Sequence, residues 1–198
     1  DLLFYPFFVT EPFFLGSNWY AVVATIALGA LTVAHIVYAF ILTAQNRSAR
    51  GNERYAVNGS SPKVEWASKN MLVLGIIVLL GILLHLFNFW YNMMFAEIVG
   101  FEGKYSPTAG YSYIVETFKN PVFVVLYIVW LCAIWYHLSH GFWSAMQTLG
   151  INGKIWFKRW KMIGLVYTTL LMLGFLIVVL AFTFGCAPSL HSACCLIH

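Results

Sequence analysis

Apolar residues dominate the chain in four long runs, separated by short polar stretches. The runs cover about residues 18–45, 66–98, 121–149 and 157–184. Each is long enough to cross a hydrocarbon core, which takes roughly 20 mostly apolar residues as a helix. The runs are rich in β-branched residues, but a lone strand in lipid leaves its backbone unsatisfied, so helices are predicted throughout. Asn120 followed by Pro121 reads as an N-cap with proline at the first helical position. Gly150 and Gly153 bracket a turn after the third run. The stretch from Gly51 through Asn58, Gly59, Ser60, Ser61 and Pro62 reads as a polar loop. No soluble domain fits between the runs. The expected fold is an all-α integral membrane protein, a transmembrane helix bundle with four spanning helices. The expected units are an interfacial segment over 1–17, the bundle over 18–185 and a tail over 186–198.

Composition agrees with this pattern. Of 198 residues, 61% are hydrophobic and 9% charged, against about 25% charged in an ordinary soluble domain. Mean hydropathy is +0.79. The formal net charge of +4 is too small to suggest a nucleic-acid partner. Its distribution says more. Arg47, Arg50, Arg54, Lys63 and Lys69 flank the first connection, and Lys154, Lys158, Arg159 and Lys161 flank the third. Only Lys104 and Lys119 fall in the second, beside Glu97, Glu102 and Glu116. Positive residues favour the cytoplasmic side. The first and third connections are therefore expected inside and both termini outside. The four cysteines form no CxxC pair, so no zinc or iron–sulfur site is expected within the chain. Cys132 reads as a small core residue.

The candidate chemistry lies in four histidines inside the runs: His35, His85, His137 and His140. A polar side chain in a membrane is costly and is a functional candidate by default. Imidazoles on facing helices are the usual axial ligands of haem b. The competing reading is a histidine hydrogen-bonded to a neighbouring helix. Depth separates the four. His35 lies ten residues before Gln45 and His137 ten before Gln147. On two parallel spans both would sit about 15 Å from the same boundary. That is the placement a bis-histidine haem needs. His85 lies in the outer half of a span running the other way and suits a second, outer haem. His140, three residues from His137, shares its face. It could replace His137 as a ligand or contact a haem propionate, and spacing alone does not choose. Gly29, Gly75, Gly81 and Gly141 could admit a macrocycle or a neighbouring helix.

Residues 18–184 resemble the diheme cytochrome b membrane anchor of bacterial succinate dehydrogenases and fumarate reductases. The resemblance rests on HIVYAF at His35, LLHLFNFW at His85 and HLSHGFWSAMQTLG at His137. It implies that the H-x-x-x-G histidine, here His137, is a ligand in preference to His140. It also implies that His35 and His137 hold the inner haem. In the family, a further helix supplies the partner of the histidine matching His85. Here DLLFYPFFVTEPFFL precedes the first span, so the resemblance leads to the expectation that His85 is an outer-haem ligand whose partner is missing. Some relatives carry a glutamate two residues before the H-x-x-x-G histidine; Trp135 stands there in this chain. The resemblance further implies one or two haem b groups and a quinone, expected to be menaquinone. Flavoprotein and iron–sulfur subunits would dock on the cytoplasmic face of a bacterial inner membrane. No nucleophile–base pair or phosphate loop is present, so no catalysis is expected without partners. Two rivals are the haem-b anchor of a formate dehydrogenase or hydrogenase, and a non-redox transporter whose histidines relay protons.

Overall fold

The computed structural model describes residues 19–50, 66–101, 103–107, 109–151 and 153–185. The expected interfacial segment, the tail and most of the first connection lie outside these. Every regular element among the described residues is helical. Helix α1 is Trp19–Arg50, α2 is Trp66–Lys69 and α3 is Met71–His85; a π-helix follows over Leu86–Phe95. Then come α4 (Ala96–Val99), α5 (Gly110–Lys119), α6 (Pro121–Thr148) and α7 (Lys154–Thr183). Four helical stretches are long and apolar enough to cross a membrane: Trp19–Ala49, Met71–Val99, Pro121–Thr148 and Lys154–Thr183. The expected fold class is observed.

Local chemistry sets the boundaries. The Asn120 side chain accepts from the Val122 N–H at 3.0 Å, with Pro121 at the first helical position. Helix α6 starts where the sequence predicts. Gly150 sits at φ +75° after α6, and Gly100 takes the same φ after α4. This left-handed conformation closes helices cheaply only with glycine. Helix α1 continues through Asn46, Arg47 and Ser48 to Arg50, beyond the residue 45 expected from hydropathy. The helix outlasts its apolar run because polar residues continue it readily in water.

Helices α6 and α7 pack along their length, α3 packs on α6, and α5 lies against α6, α7 and the π-helix. Gly81 admits the Trp130 indole, which occupies the place of a Cβ. Trp130 Nε1–H donates to the Val78 carbonyl at 3.0 Å. Between α6 and α7, Gly164 lies under the Phe142 ring, whose Cδ1 is 2.6 Å from its Cβ position. The main core joins Phe118, Val124, Tyr127, Leu131, Met172 and Val179. A smaller cluster of Ala67, Leu74 and Ala133 binds the start of the second span to α6.

Three features depart from the sequence reading. The second connection contains helix α5, held by Tyr113, whose hydroxyl donates to the Tyr105 carbonyl at 2.7 Å. The second span is π-helical from Leu86 to Phe95, and Asn92 Nδ2 donates to the carbonyls of Phe87 and Asn88 at 2.9 and 3.2 Å. Cys132 is exposed, not core. It lies in sequence between the buried Leu131 and Ala133.

Candidate functional site

Helix α1 stands off from the other spans. No described residue of α1 is buried, and α1 is not among the closely packed pairs. The space between α1, α3 and α6 is a cleft of about 550 Å³, within the size range of small-molecule and cofactor sites. Thr32, His35, Ala39 and Thr43 line it from α1. Gly75 and Ile82 are on the α3 wall, and His137, His140, Gly141 and Ser144 on the α6 wall.

The structure brings His35 and His137 together across this cleft. Their ring centroids are 6.2 Å apart and the planes cross at 85°. Gly75 lies against the His137 ring: a Cβ there would sit 3.7 Å from its Cε1, an ordinary contact. The His137 Nδ1 is buried and makes no hydrogen bond. A histidine fixed by a neighbouring helix would have such a bond; leaving the atom unpaired costs roughly 1–3 kcal/mol.

These two rings fit a haem on spacing. A metal–imidazole bond is about 2.0–2.1 Å. The centre of a five-membered ring with bonds near 1.33 Å lies about 1.1 Å beyond its nitrogen. Two imidazoles on opposite sides of one iron would therefore have centroids about 6.4 Å apart, close to the observed 6.2 Å. Among the described residues, no cluster of three or more His, Cys, Asp or Glu side chains is placed to hold a bare metal ion. Two histidines suffice for a haem, because the macrocycle provides the remaining ligands.

His140 lines the same cleft, with its ring 4.7 Å from that of Trp143. Gly141 borders the cleft and has nothing within 4 Å of its Cβ position; the same holds for Gly29. Trp135 Nε1–H donates to Thr169 Oγ1 at 2.9 Å, so this position ties α6 to α7.

His85 lies elsewhere. Its ring sits among aromatic rings, with centroids 5.2 Å from Phe89, 5.5 Å from Trp130 and 6.2 Å from Tyr127. It opens on a second cleft of about 410 Å³, lined also by Phe118, Met172 and Phe175. Among the described residues, no second histidine lines this cleft. The sequence reading missed this cleft. Its signal, aromatic residues recurring around His85 and Tyr127, looks like ordinary core packing until five elements converge. Compared with known proteins, the chain matches no family model, no curated protein and no solved structure.

Proposed function

We propose that this chain is the haem b-containing membrane anchor of a succinate dehydrogenase or fumarate reductase, joining an iron–sulfur subunit electronically to membrane quinone. The observation that carries the haem reading is the His35–His137 pair, two rings from separate spans facing each other at 6.2 Å across a cofactor-sized cleft. His35 and His137 would be the axial ligands, with α1 and α6 fixing their separation. Gly141, with nothing within 4 Å of its Cβ position, would leave width for a flat ligand. A bound haem supplies one-electron transfer in a medium where free charges are excluded. The largely apolar walls would keep water from a bound haem. The choice of complex rests on the HIVYAF, LLHLFNFW and HLSHGFWSAMQTLG resemblance.

The basic residues of the first and third connections would face the cytoplasm and meet the iron–sulfur subunit, to which the flavoprotein subunit would be joined. The quinone, menaquinone by the same resemblance, would come from the bilayer. A reduced-minus-oxidised spectrum of the purified wild-type chain tests the haem. An α-band of haem b is the expected result, and its absence from a folded preparation would overturn the reading. Co-purification with an iron–sulfur and a flavin-containing subunit that oxidises succinate tests the choice of complex. A formate- or hydrogen-linked partner would replace it.

A further inference from the structure

The first cleft is asymmetric about its histidine pair. Helices α3 and α6 run antiparallel, because Gly75 meets His137 while Gly81 meets Trp130. Beyond Gly75, on the side away from the first connection, the α3 wall is Val78, Leu79 and Ile82. On the other side the α6 wall is His140, Gly141, Ser144, Ala145 and Thr148, opposite Ala39 and Thr43 of α1. The cleft thus runs about 16 Å from His137 to Thr148, at 1.5 Å per residue, and gains hydroxyl groups as it goes. Among the α1 positions that line the cleft are Thr32, His35, Ile36, Ala39 and Thr43. One turn beyond Thr43 that face continues to Arg47, which remains helical.

We infer that the cleft holds its haem in one orientation, with the two-carboxylate edge toward Ser144 and Thr148 and its charge met by Arg47. This rests on the haem reading of the same cleft and adds direction and charge compensation to it. Haem is amphipathic: one edge is hydrocarbon and the opposite edge carries two propionates. Turning the propionates toward Val78 and Ile82 would place carboxylates against hydrocarbon and the Thr32 hydroxyl, which already donates to the Leu28 carbonyl, and that is heavily penalised. Turning them toward Thr148 places them near the Ser144 hydroxyl and a guanidinium, which can engage a carboxylate through two hydrogen bonds; the Thr43 and Thr148 hydroxyls already donate to the Ala39 and Ser144 carbonyls. Arg47 is a positioning residue here; the iron is held by His35 and His137.

Reduction adds an electron at the iron, so a nearby cation favours the reduced form. Twelve residues of helix separate His35 from Arg47, about 18 Å. At an effective dielectric constant of about 20, removing one charge at that distance shifts the reduced-to-oxidised ratio about fivefold toward the oxidised form. That is about 40 mV at 59 mV per tenfold for one electron.

The experiment compares wild type, Arg47→Gln, Arg47→Lys, Ser144→Ala and Arg159→Gln as full chains in native-lipid membranes. Haem content, midpoint potential and the propionate bands in resonance Raman are read on each. Arg159, over the Trp156 ring at 5.1 Å, is a control for remote charge at the same end of the bundle. Full haem content is expected in every variant. Arg47→Gln should lower the potential as above and move the propionate bands, and Ser144→Ala should move the bands alone. Arg47→Lys should keep most of the potential, while Arg159→Gln should change neither readout. Haem bound with unchanged potential and bands in both Arg47→Gln and Ser144→Ala overturns the orientation and leaves the haem reading standing. An equal shift in Arg159→Gln also overturns it, because the effect is then not local. Wild type without haem overturns both.

Discussion

Gly81 and Gly75 sit six residues apart on α3, and the structure gives them opposite tolerances. A Cβ at Gly81 would overlap the Trp130 indole. That ring cannot move freely, because its Nε1–H is bonded to the Val78 carbonyl at 3.0 Å. Gly81→Ala must therefore shift the indole or lift α3 from α6. Overpacking of this kind costs about 1–3 kcal/mol, and losing the hydrogen bond adds about 0.5–1.5 kcal/mol. The better helix propensity of alanine returns about 0.5–1 kcal/mol. The net expectation is a loss of about 1–3 kcal/mol. At Gly75 the nearest atom to the new methyl is His137 Cε1 at 3.7 Å, so Gly75→Ala needs no rearrangement and keeps the propensity gain. The two variants should differ by about 2–4 kcal/mol in reversible SDS unfolding from mixed micelles, with Gly81→Ala the weaker. Equal stability, or Gly81→Ala the stronger, would show that α3 and α6 do not interlock through Trp130. The consequence reaches the site, because the same pair of helices sets the distance of His137 from Gly75.

Other outcomes follow from individual residues. His35→Ala and His137→Ala should each abolish the haem b spectrum and His140→Ala should spare it; the reverse pattern within the His137–His140 pair would reassign the ligand. Ser106→Cys should react with an impermeant thiol reagent added outside intact cells, and Ile151→Cys should not; labelling the other way round inverts the proposed topology. Arg50→Glu with Arg54→Glu should release the soluble subunits while haem stays bound, and undiminished co-purification would remove this surface from the docking face. At the second connection, Lys104 and Glu116 are paired at 2.5 Å on an exposed surface. The hydrogen bond to Lys104 holds the Glu116 carboxyl below its ordinary value, and the bond to Glu116 holds Lys104 above its own. The pair's contribution is therefore full between the two unfolded values. It fades as pH falls through the depressed carboxyl value or rises through the raised ammonium value. Solvent screens it, so Glu116→Gln should leave the unfolding midpoint at neutral pH unchanged; a clear drop would mean that the pair anchors α5.

The spans were legible because an isolated segment in lipid can satisfy its backbone only as a helix, and about twenty apolar residues announce one. The His35–His137 encounter was legible for a related reason: fixed rise per residue turns equal sequence offsets into equal depth. Helix α5 was not legible. GYSYIVETFK is short and mixes polar with aromatic residues, and its helicity comes from docking Tyr113, Thr117 and Phe118 on the bundle. The π-helix has no hydropathy signature, since widening the backbone ring changes no residue type. Cys132 was misplaced because an apolar run looks alike on its lipid-facing and protein-facing sides; only packing tells them apart. Thr168 makes the opposite point. It is 1% exposed in a stretch that reads as uniformly lipid-soluble.

The last prediction concerns His85, where the resemblance and the structure pull apart. The resemblance makes His85 a ligand of a second, outer haem. The structure surrounds its ring with Phe89, Tyr127 and Trp130 and opens it on a cleft whose described lining holds no other histidine. Met93 and Met172 do line it, and a thioether is a known axial partner of histidine. Met93 follows His85 by eight residues in the same span, so it cannot approach an iron from the opposite side. Met172 lies across the cleft on α7, but it is buried in the main core with Tyr127 and Leu131. Drawing it out would open a cavity costing about 2–5 kcal/mol, the range for emptying such a site. The expected stoichiometry is therefore one haem per chain, measured as pyridine haemochrome against amino-acid analysis. His85→Ala should leave that number and the midpoint potential unchanged. Two haems in wild type falling to one in His85→Ala would refute this reasoning. Magnetic circular dichroism would then tell a bis-histidine iron from a histidine–methionine one, the latter tracing the missing ligand to Met172.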